Sequence, residues 1–259
     1  MNVVQAIILG VVEGATEFLP VSSTFHLIFT SKLLGIPQSD FIKLFEVFIQ
    51  AGAILSVLFL YFKDIWSNKE LLKKLLFSFV PTAVVGLLLY KVIKNVFFES
   101  DFLMLGVFGG LGIFFIVFEY LIKKDRIKLS KKISDLSVGQ AIIVGLIQAL
   151  AILPGVSRAG AVMLGMMFMR YNRDEAAKYS FMLAIPTIFA ASFYDLYKMR
   201  DVAFAYSNNF LVLIIGFVTA FISSYFIVKW FIGFLKSNTL IPFGVYRIIL
   251  AIILLLYLF

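Results

Sequence analysis

The sequence predicts an all-α polytopic membrane protein, built as an inverted-topology repeat with six spanning helices and two re-entrant helix hairpins. Of its 259 residues, 62% are hydrophobic and only 15% are charged, whereas soluble domains have about 45–50% and about 25%. Six apolar runs are long enough to cross a bilayer, and two more are interrupted by Gly, Pro and Ser. This composition excludes a soluble enzyme.

The absence of cysteine excludes disulfides, thiolate metal sites and cysteine nucleophiles. The formal net charge is +8, but Lys and Arg fall mainly in loops between apolar runs, a pattern typical of membrane topology rather than nucleic-acid binding. The expected partners are therefore membrane lipids and no nucleic acid. Because the apolar start lacks a basic segment and a cleavage site, we interpret it as part of the fold.

A spanning helix needs roughly 20 apolar residues. Six uninterrupted runs are candidates: 41–62, 76–92, 102–122, 178–194, 210–228 and 242–259. Two further stretches, 3–34 and 138–169, are broken near their middle, the first at Pro20 and the second at Pro154. Each is predicted to form two half-helices joined by a turn. Irregular backbone at membrane depth must be shielded from lipid, so both turns are candidates for a functional site.

The two broken stretches also resemble each other. Residues 5–13 match residues 140–148 at five of nine positions, and each segment is followed by Leu-Pro and a serine. We therefore expect a single membrane domain, 1–259, with one repeat at about 1–125 and another at about 136–259. Each repeat would hold one hairpin and three spans. Because three is odd, the second repeat starts from the opposite face, and the hairpin tips meet near the bilayer midplane.

The distribution of Lys and Arg predicts the orientation. With both termini outside, the inner connections carry 15 of these residues and the outer ones 6, in the sense of the positive-inside rule. The expected location is the plasma (inner) membrane, with a multi-pass chain and a site that faces the outer side.

Acidic and hydroxyl side chains surround the first break. Glu13 and Glu17 are four residues apart and share one helix face. Two such carboxylates at membrane depth require either protonation or a cation, and Mg²⁺ or Ca²⁺ suits their oxygens; a protonated structural pair is the alternative. His26, the only histidine, is either a structural residue or an acid/base group, and the serines before it offer a nucleophile or phosphate ligands.

The second break carries the complementary chemistry. Arg158 at membrane depth must meet an anion, either one of the two carboxylates or an anionic substrate. Gly155 and Gly160 let main-chain N–H groups approach phosphate, and a half-helix that starts near Ser157 adds positive potential. Other polar residues in spans are less informative. Glu46 and Gln50 share a face and either line the same cavity or form structural hydrogen bonds. Arg247 could partner an acid or a lipid head group but is interpreted as structural, and Glu119 is expected to reach water near a span end.

Two motifs carry a resemblance to a known family. Residues 13–26, which read EGATEFLPVSSTFH, resemble the first signature of the undecaprenyl pyrophosphate phosphatase family of BacA/UppP type, and residues 154–162 resemble its second motif. The similarity extends over nearly the whole chain, including 45–53, 184–186 and 243–247. It implies an enzyme that hydrolyses undecaprenyl diphosphate, or a similar polyprenyl diphosphate, to the monophosphate with a divalent cation, Mg²⁺ or Ca²⁺. Such recycling of the lipid carrier supports peptidoglycan synthesis and bacitracin resistance.

The resemblance also implies roles for individual residues. Glu13 and Glu17 would handle the metal and the diphosphate, Ser23 would be the nucleophile or a phosphate ligand, His26 the acid/base, and Arg158 the diphosphate clamp. The implied substrate-binding residues are Ser22, Thr24, Gly155, Ser157 and Gly160.

Three positions depart from the family pattern: Phe25, Ala159 and Val162 replace a glycine, a serine and a threonine. Phe25 is tolerated if its φ is negative but could re-aim His26. The two lost hydroxyls cost about 0.5–1.5 kcal/mol each in ordinary hydrogen bonds.

Two other function classes remain open from the sequence. A lipid-phosphate flippase or secondary transporter would also use inverted repeats with broken helices, although transport needs no acid/base such as His26. An ion channel or proton carrier would use Glu13 and Glu17 but leaves the second break unexplained. The sequence leaves the oligomeric state open, a homodimer included.

Overall fold

The computed structural model is all-helical, as predicted, and describes residues 1–97, 101–153, 155–205 and 207–258. Within these ranges there is no strand, only an isolated bridge between Lys131 and Tyr171. The helices are α1 Val3–Thr16, α2 Ser23–Leu33, α3 Asp40–Ser67, α4 Lys69–Phe97, α5 Asp101–Lys123, α6 Val138–Ala149, α7 Arg158–Phe168, α8 Arg173–Lys198, α9 Arg200–Ala203, α10 Ser207–Leu235 and α11 Ile241–Leu258.

Within the described ranges, five helices are long and apolar enough to cross a membrane, namely α3, α4, α5, α8 and α10. Each contains or overlaps one predicted run. α4 begins earlier than predicted, at Lys69, because the Asn68 side chain caps it by accepting a hydrogen bond from Leu71 N at 3.0 Å. The sixth predicted run, 242–259, corresponds to α11, which is apolar but shorter than these five. Phe259 lies outside the described residues.

Both interrupted stretches form two helices separated by a turn, as predicted. α1 ends at Thr16 and α2 begins at Ser23, while α6 ends at Ala149 and α7 begins at Arg158. The two helices of each pair pack against each other. Pro154, expected to contribute to the second break, lies outside the described residues.

α1 and α6 begin with the same local structure. In α1, the side chains of Asn2 and Gln5 exchange hydrogen bonds with each other's main-chain N–H, which forms a capping box. Ser137 and Gln140 form the equivalent box at the start of α6. The similarity of residues 5–13 and 140–148 therefore extends from sequence to the way each helix starts.

One compact unit consists of Met1–Phe18, Ser23–Ser67 and Phe181–Trp230. In this unit α1 lies so close to α10 that the contact requires small residues. A Cβ on Gly14 would lie 2.6 Å from the carbonyl oxygen of Ala220, well inside van der Waals contact. The hydroxyl of Ser224 donates to the carbonyl of Gly14 at 3.2 Å. This close contact holds the helix that contains Glu13 and that Glu17 follows as its C-terminal cap.

A second compact unit consists of Leu19–Ser22, Asn68–Ser180 and Phe231–Phe259. Here α6 lies against α4 by the same kind of contact. Ser78 donates to the carbonyl of Ala141 at 2.6 Å, and Thr82 donates to that of Gly145 at 2.8 Å. A Cβ on Gly145 would lie 2.0 Å from the Ser78 carbonyl oxygen. In each unit, a helix that precedes a break is thus bound through its carbonyls by hydroxyls of a neighbouring helix.

The two compact units differ from the two predicted repeats, because each unit takes helices from both halves of the chain. α1 packs on α10, and α6 packs on α4. The half-helix of one predicted repeat is therefore held by a helix of the other predicted repeat. The repeat boundaries themselves remain a prediction.

Glu119 corrects one expectation. Its side chain was expected to reach water, but the residue is 1% exposed. Its carboxylate accepts hydrogen bonds from the guanidinium of Arg173 and, at 2.9 Å, from the main-chain N of Leu240. Arg173 is the first residue of α8, so the ion pair forms where α5 ends and α8 begins, and burial is compensated by these donors.

Candidate active site

The acid pair lies at the end of α1. Glu13 is 0% exposed and Glu17 is 8% exposed. The main-chain N of Glu17 donates to the carbonyl of Glu13 at 2.9 Å, so helical geometry continues through both residues and leaves them on one face. Carboxylates buried in an apolar helix are costly, on the order of 2.5–3.5 kcal/mol each on insertion scales. Two buried carboxylates on one helix face therefore indicate a functional site.

Ser23, which follows the turn after α1, contacts this acid pair. Its hydroxyl donates a hydrogen bond to Oε2 of Glu17. The preceding residue, Ser22, has φ +65°, a left-handed conformation that few non-glycine residues adopt. Such backbone strain costs about 1–3 kcal/mol and is concentrated at functional sites. The hydrogen bond therefore places the Glu17 carboxylate where it can accept the proton of the Ser23 hydroxyl.

His26 lies one turn after Ser23 on α2, so the two side chains share a face. The histidine is half-buried and Thr24 is half-buried in the first turn. Phe25 is a regular part of the helix without a positive φ, so the backbone does not need the glycine of the family pattern. Its ring is 1% exposed and lies 4.6 Å from the Phe29 ring and 5.8 Å from the imidazole, between ring centroids.

Glu46 has a polar contact that no sequence pattern predicts. Ser31 on α2 donates to Oε1 of Glu46 on α3 at 3.1 Å. Both belong to the same compact unit as His26. The sequence marked Glu46 as a polar residue in a span, but Ser31 had no motif that could identify it as the partner.

The second turn ends in a capped half-helix. The Ser157 hydroxyl accepts a hydrogen bond from Gly160 N at 3.1 Å and so caps α7, which begins at Arg158. This confirms the predicted half-helix start near Ser157. Arg158 is half-buried in the first turn, where the helix terminus favours anions.

Gly155 is required by its conformation. Its φ is +88°, and a Cβ would lie 2.7 Å from the carbonyl oxygen of Met104. Gly160 is also crowded, since its Cβ would meet the Phe115 ring at 2.8 Å and Pro20 Cβ at 3.3 Å. The two glycines therefore allow close packing around this turn.

The two turns contact each other within the second unit. Ser157 Oγ donates to the carbonyl of Leu19 at 3.4 Å. Arg247 of α11, fully buried, donates from Nη1 to the carbonyl of Pro20 at 3.0 Å and from Nη2 to that of Gly155 at 2.6 Å. The sequence indicated a structural role, with an acid or a lipid head group as the alternative partner, whereas the guanidinium binds main-chain carbonyls. In the sequence, the position of this arginine within an apolar helix indicates a role but does not identify these carbonyl partners.

The predicted site residues fall into two groups, one in each compact unit. The first compact unit contains Glu13, Glu17, Ser23, Thr24 and His26, and the second contains Ser22, Gly155, Ser157, Arg158 and Gly160. The structure brings Ser23 to Glu17, and it brings Ser157 to Gly160 and to the first turn.

The donor set is compatible with a hard divalent cation. Among the described residues, no group of three or more His, Cys, Asp or Glu side chains could hold a metal by itself. Mg²⁺, however, is commonly bound through only one or two carboxylates, with water and substrate phosphate completing its shell. Glu13 and Glu17, buried on one helix face, are a donor set of that kind.

Comparisons with known proteins cover almost the entire chain. Residues 6–253 match the family model described as "Bacitracin resistance protein BacA". A protein of Sulfurihydrogenibium sp. named undecaprenyl-diphosphatase is 45% identical over 98% of this chain and 98% of its own length. Proteins of the same name from Persephonella marina and Aquifex aeolicus are 44% and 43% identical, over 99% and 96% of both chains.

Proposed function

Because the chain belongs to the BacA family of bacitracin resistance proteins, we propose that it is a membrane phosphatase that hydrolyses undecaprenyl diphosphate to the monophosphate and phosphate. The observation that carries this proposal is the hydrogen bond from Ser23 to Glu17. It joins the hydroxyl and a carboxylate of the family's first signature in a chain that its relatives match over nearly full length.

The reaction breaks the anhydride P–O bond to the terminal phosphate, and the lipid monophosphate leaves. The attacking oxygen belongs either to Ser23, which forms a phosphoserine that water then hydrolyses to free phosphate, or to a water held at the same position. The hydrogen bond favours Glu17 as the group that takes the proton of Ser23 in the first case. His26 lies one turn away on the same helix face. It then either protonates the departing oxygen of the lipid monophosphate or deprotonates the attacking water.

Stabilisation of phosphate charge is assigned to the second motif. Arg158 offers a bidentate fork to phosphate oxygens, and the capped N-terminus of α7 behind Ser157 adds main-chain N–H groups. Within the second unit, the turn 155–157 before Arg158 contacts the turn 19–22 of the first motif. Ala159 and Val162 leave fewer hydroxyls than the family pattern, so Arg158 carries more of the binding.

Glu13 and Glu17 are proposed to hold the divalent cation. When bound, a cation there neutralises negative charge on the diphosphate. The two carboxylates orient it from one helix face. This assignment is supported by the burial of both carboxylates on one helix face.

The membrane course is proposed as six spans and two re-entrant hairpins. α1 and α2 have 14 and 11 residues, so at about 1.5 Å per residue each is shorter than the roughly 30 Å hydrocarbon core. α6 and α7, with 12 and 11 residues, are short as well. The excess of Lys and Arg on one side favours an inner-membrane protein with its site on the outer face. The homodimer stays a prediction, and the mass of the detergent-solubilised protein tests it.

The test is phosphate release by purified protein from undecaprenyl diphosphate with Mg²⁺ or Ca²⁺. Wild-type protein should release phosphate, and Glu17→Ala should not. Glu70→Ala, which removes an exposed carboxylate at the start of α4, is the matched control and should keep full activity. If wild-type protein released no more phosphate than Glu17→Ala, the enzyme proposal would be wrong. Lipid movement in liposomes without release would instead support the transporter alternative.

A further inference from the structure

Arg247 has an unusual set of partners. The residue is 0% exposed, and its guanidinium uses three nitrogens on three main-chain carbonyls. Nε donates to Phe108 at 2.8 Å, Nη1 to Pro20 at 3.0 Å, and Nη2 to Gly155 at 2.6 Å. These acceptors belong to α5, to the turn after α1 and to the turn before α7. One side chain therefore connects three segments that are far apart in the sequence.

We propose that Arg247 is a positioning residue, which sets the two turns of the broken helices relative to each other and thereby places the phosphate-binding residues next to them. This inference rests on the proposed function for its effect on catalysis. The structural part, the joint control of both turns, stands on the three hydrogen bonds alone.

Carbonyls in such turns need a donor from outside the turn. Non-helical backbone in an apolar interior loses the regular i to i−4 hydrogen bonds, and each unsatisfied group costs several kcal/mol in lipid. Gly155 has a left-handed φ of +88° and precedes α7, so its carbonyl lies outside the regular helix. Arg247 satisfies this carbonyl and the one at Pro20 simultaneously.

A guanidinium suits this task better than an ammonium. Its five N–H donors lie in one rigid plane and point in fixed directions, whereas lysine presents all its donors from a single atom. The guanidinium carbon also lies 4.3 Å from the centroid of the Phe108 ring and 5.8 Å from that of Phe115. The rings exclude water, which leaves the carbonyls without a substitute donor if the arginine is shortened.

The position of the turns matters because of their neighbours. Ser157 follows Gly155 by two residues, caps α7 through Gly160 N and bonds to the carbonyl of Leu19. A displaced Gly155 would therefore move the N-terminus of α7, where Arg158 lies. Among the described residues Arg247 has no carboxylate partner, so its charge also adds to the attraction of this region for a diphosphate.

The test compares Arg247→Lys with Arg173→Lys, a matched change of another arginine whose partner is the buried Glu119. Hydrogen exchange of segments 17–23 and 155–161 is measured together with thermal unfolding, kcat and KM for undecaprenyl diphosphate. We expect Arg247→Lys to raise exchange in both segments at least about tenfold and to lower kcat by about 30-fold or more, with KM within about threefold. Arg173→Lys should lower the unfolding temperature without these two effects.

Unchanged exchange in either segment of Arg247→Lys would overturn the proposal, and so would a kcat per folded molecule equal to wild type. If Arg247→Lys fails to fold, Phe108→Leu tests the proposal instead. This change removes the aromatic ring that packs on the guanidinium and keeps all three carbonyl acceptors. It should raise exchange in both segments by a smaller factor, and no change in them would overturn the proposal. If wild-type protein releases no phosphate, the proposed function fails, while the exchange comparison still decides the role of Arg247.

Discussion

The hydroxyl of Ser23 donates a hydrogen bond to the carboxylate of Glu17, across the turn that separates α1 from α2. The left-handed Ser22 between them makes this return possible. A serine that donates to a buried carboxylate is oriented and polarised by it. The pair therefore forms the part of the candidate site whose geometry can be tested most directly.

Ser23→Ala removes the hydroxyl and keeps the helix. We expect kcat for phosphate release to fall by at least about 100-fold, because either the nucleophile or the group that positions water is lost. Ser67→Ala, at the exposed end of α3, should have no effect. Rapid quenching with a substrate radiolabelled in the terminal phosphate should trap a phosphoserine only if Ser23 attacks. A Ser23→Ala protein with most of the wild-type rate would assign the attack to water.

His26→Asn should lower kcat by roughly 10²–10⁴-fold, the usual contribution of a general acid or base. Because His26 is the only histidine in the chain, an imidazole-specific acylating reagent reports on a single residue. It should inactivate wild-type protein, with protection by substrate. Inactivation of the enzyme without acylation of His26, found by mass spectrometry, would contradict the assignment.

Removal of divalent cations with a chelator should abolish phosphate release, and Mg²⁺ or Ca²⁺ should restore it. In Glu13→Gln the cation concentration needed for half-maximal rate should rise at least about tenfold, since one of two carboxylate ligands is lost. Glu70→Gln is the control for a general change of charge. A Glu13→Gln protein with an unaltered cation requirement would argue that Glu13 is not a metal ligand.

Gly14→Val tests the contact of α1 with α10. A Cβ at Gly14 would lie 2.6 Å from both the Ala220 carbonyl oxygen and Ser223 Cβ, so overpacking should destabilise the protein by about 1–3 kcal/mol. Thermal unfolding in detergent measures this as a lower midpoint. Gly106→Ala, in α5 with no atom within 4 Å of its Cβ, should instead stabilise by about 0.5–1 kcal/mol. Equal midpoints for both variants would contradict the packing described for α1.

Much of the local structure follows from the sequence because its signals are local. Gln5 and Gln140 lie three residues after a capping side chain, and the Gly, Pro and Ser residues at each break interrupt an apolar run where the helices end. Burial of Glu13 and Glu17 follows from their position within such a run. The start of α7 after Ser157 is likewise a short-range effect, since the cap and its partner are three residues apart.

Other features depend on contacts that no local pattern contains. Glu119 near a span end was expected in water, but Arg173 and Leu240 N make its burial favourable. Ser31 acquires a role only because α2 lies against α3 at Glu46. In both cases the partner is chosen by the packing of helices rather than by spacing along the chain.

The sequence by itself determined the membrane class, the two stretches that break into half-helices and the residues of both motifs, because composition and short-range backbone preferences suffice for these. Only the tertiary structure decided that Ser23 meets Glu17, that α1 packs on α10, and that Arg247 connects both turns. The acceptors of Arg247 are up to 227 residues away in the chain. A buried donor must find its acceptors among whatever segments packing brings to it, and that choice is made by the fold.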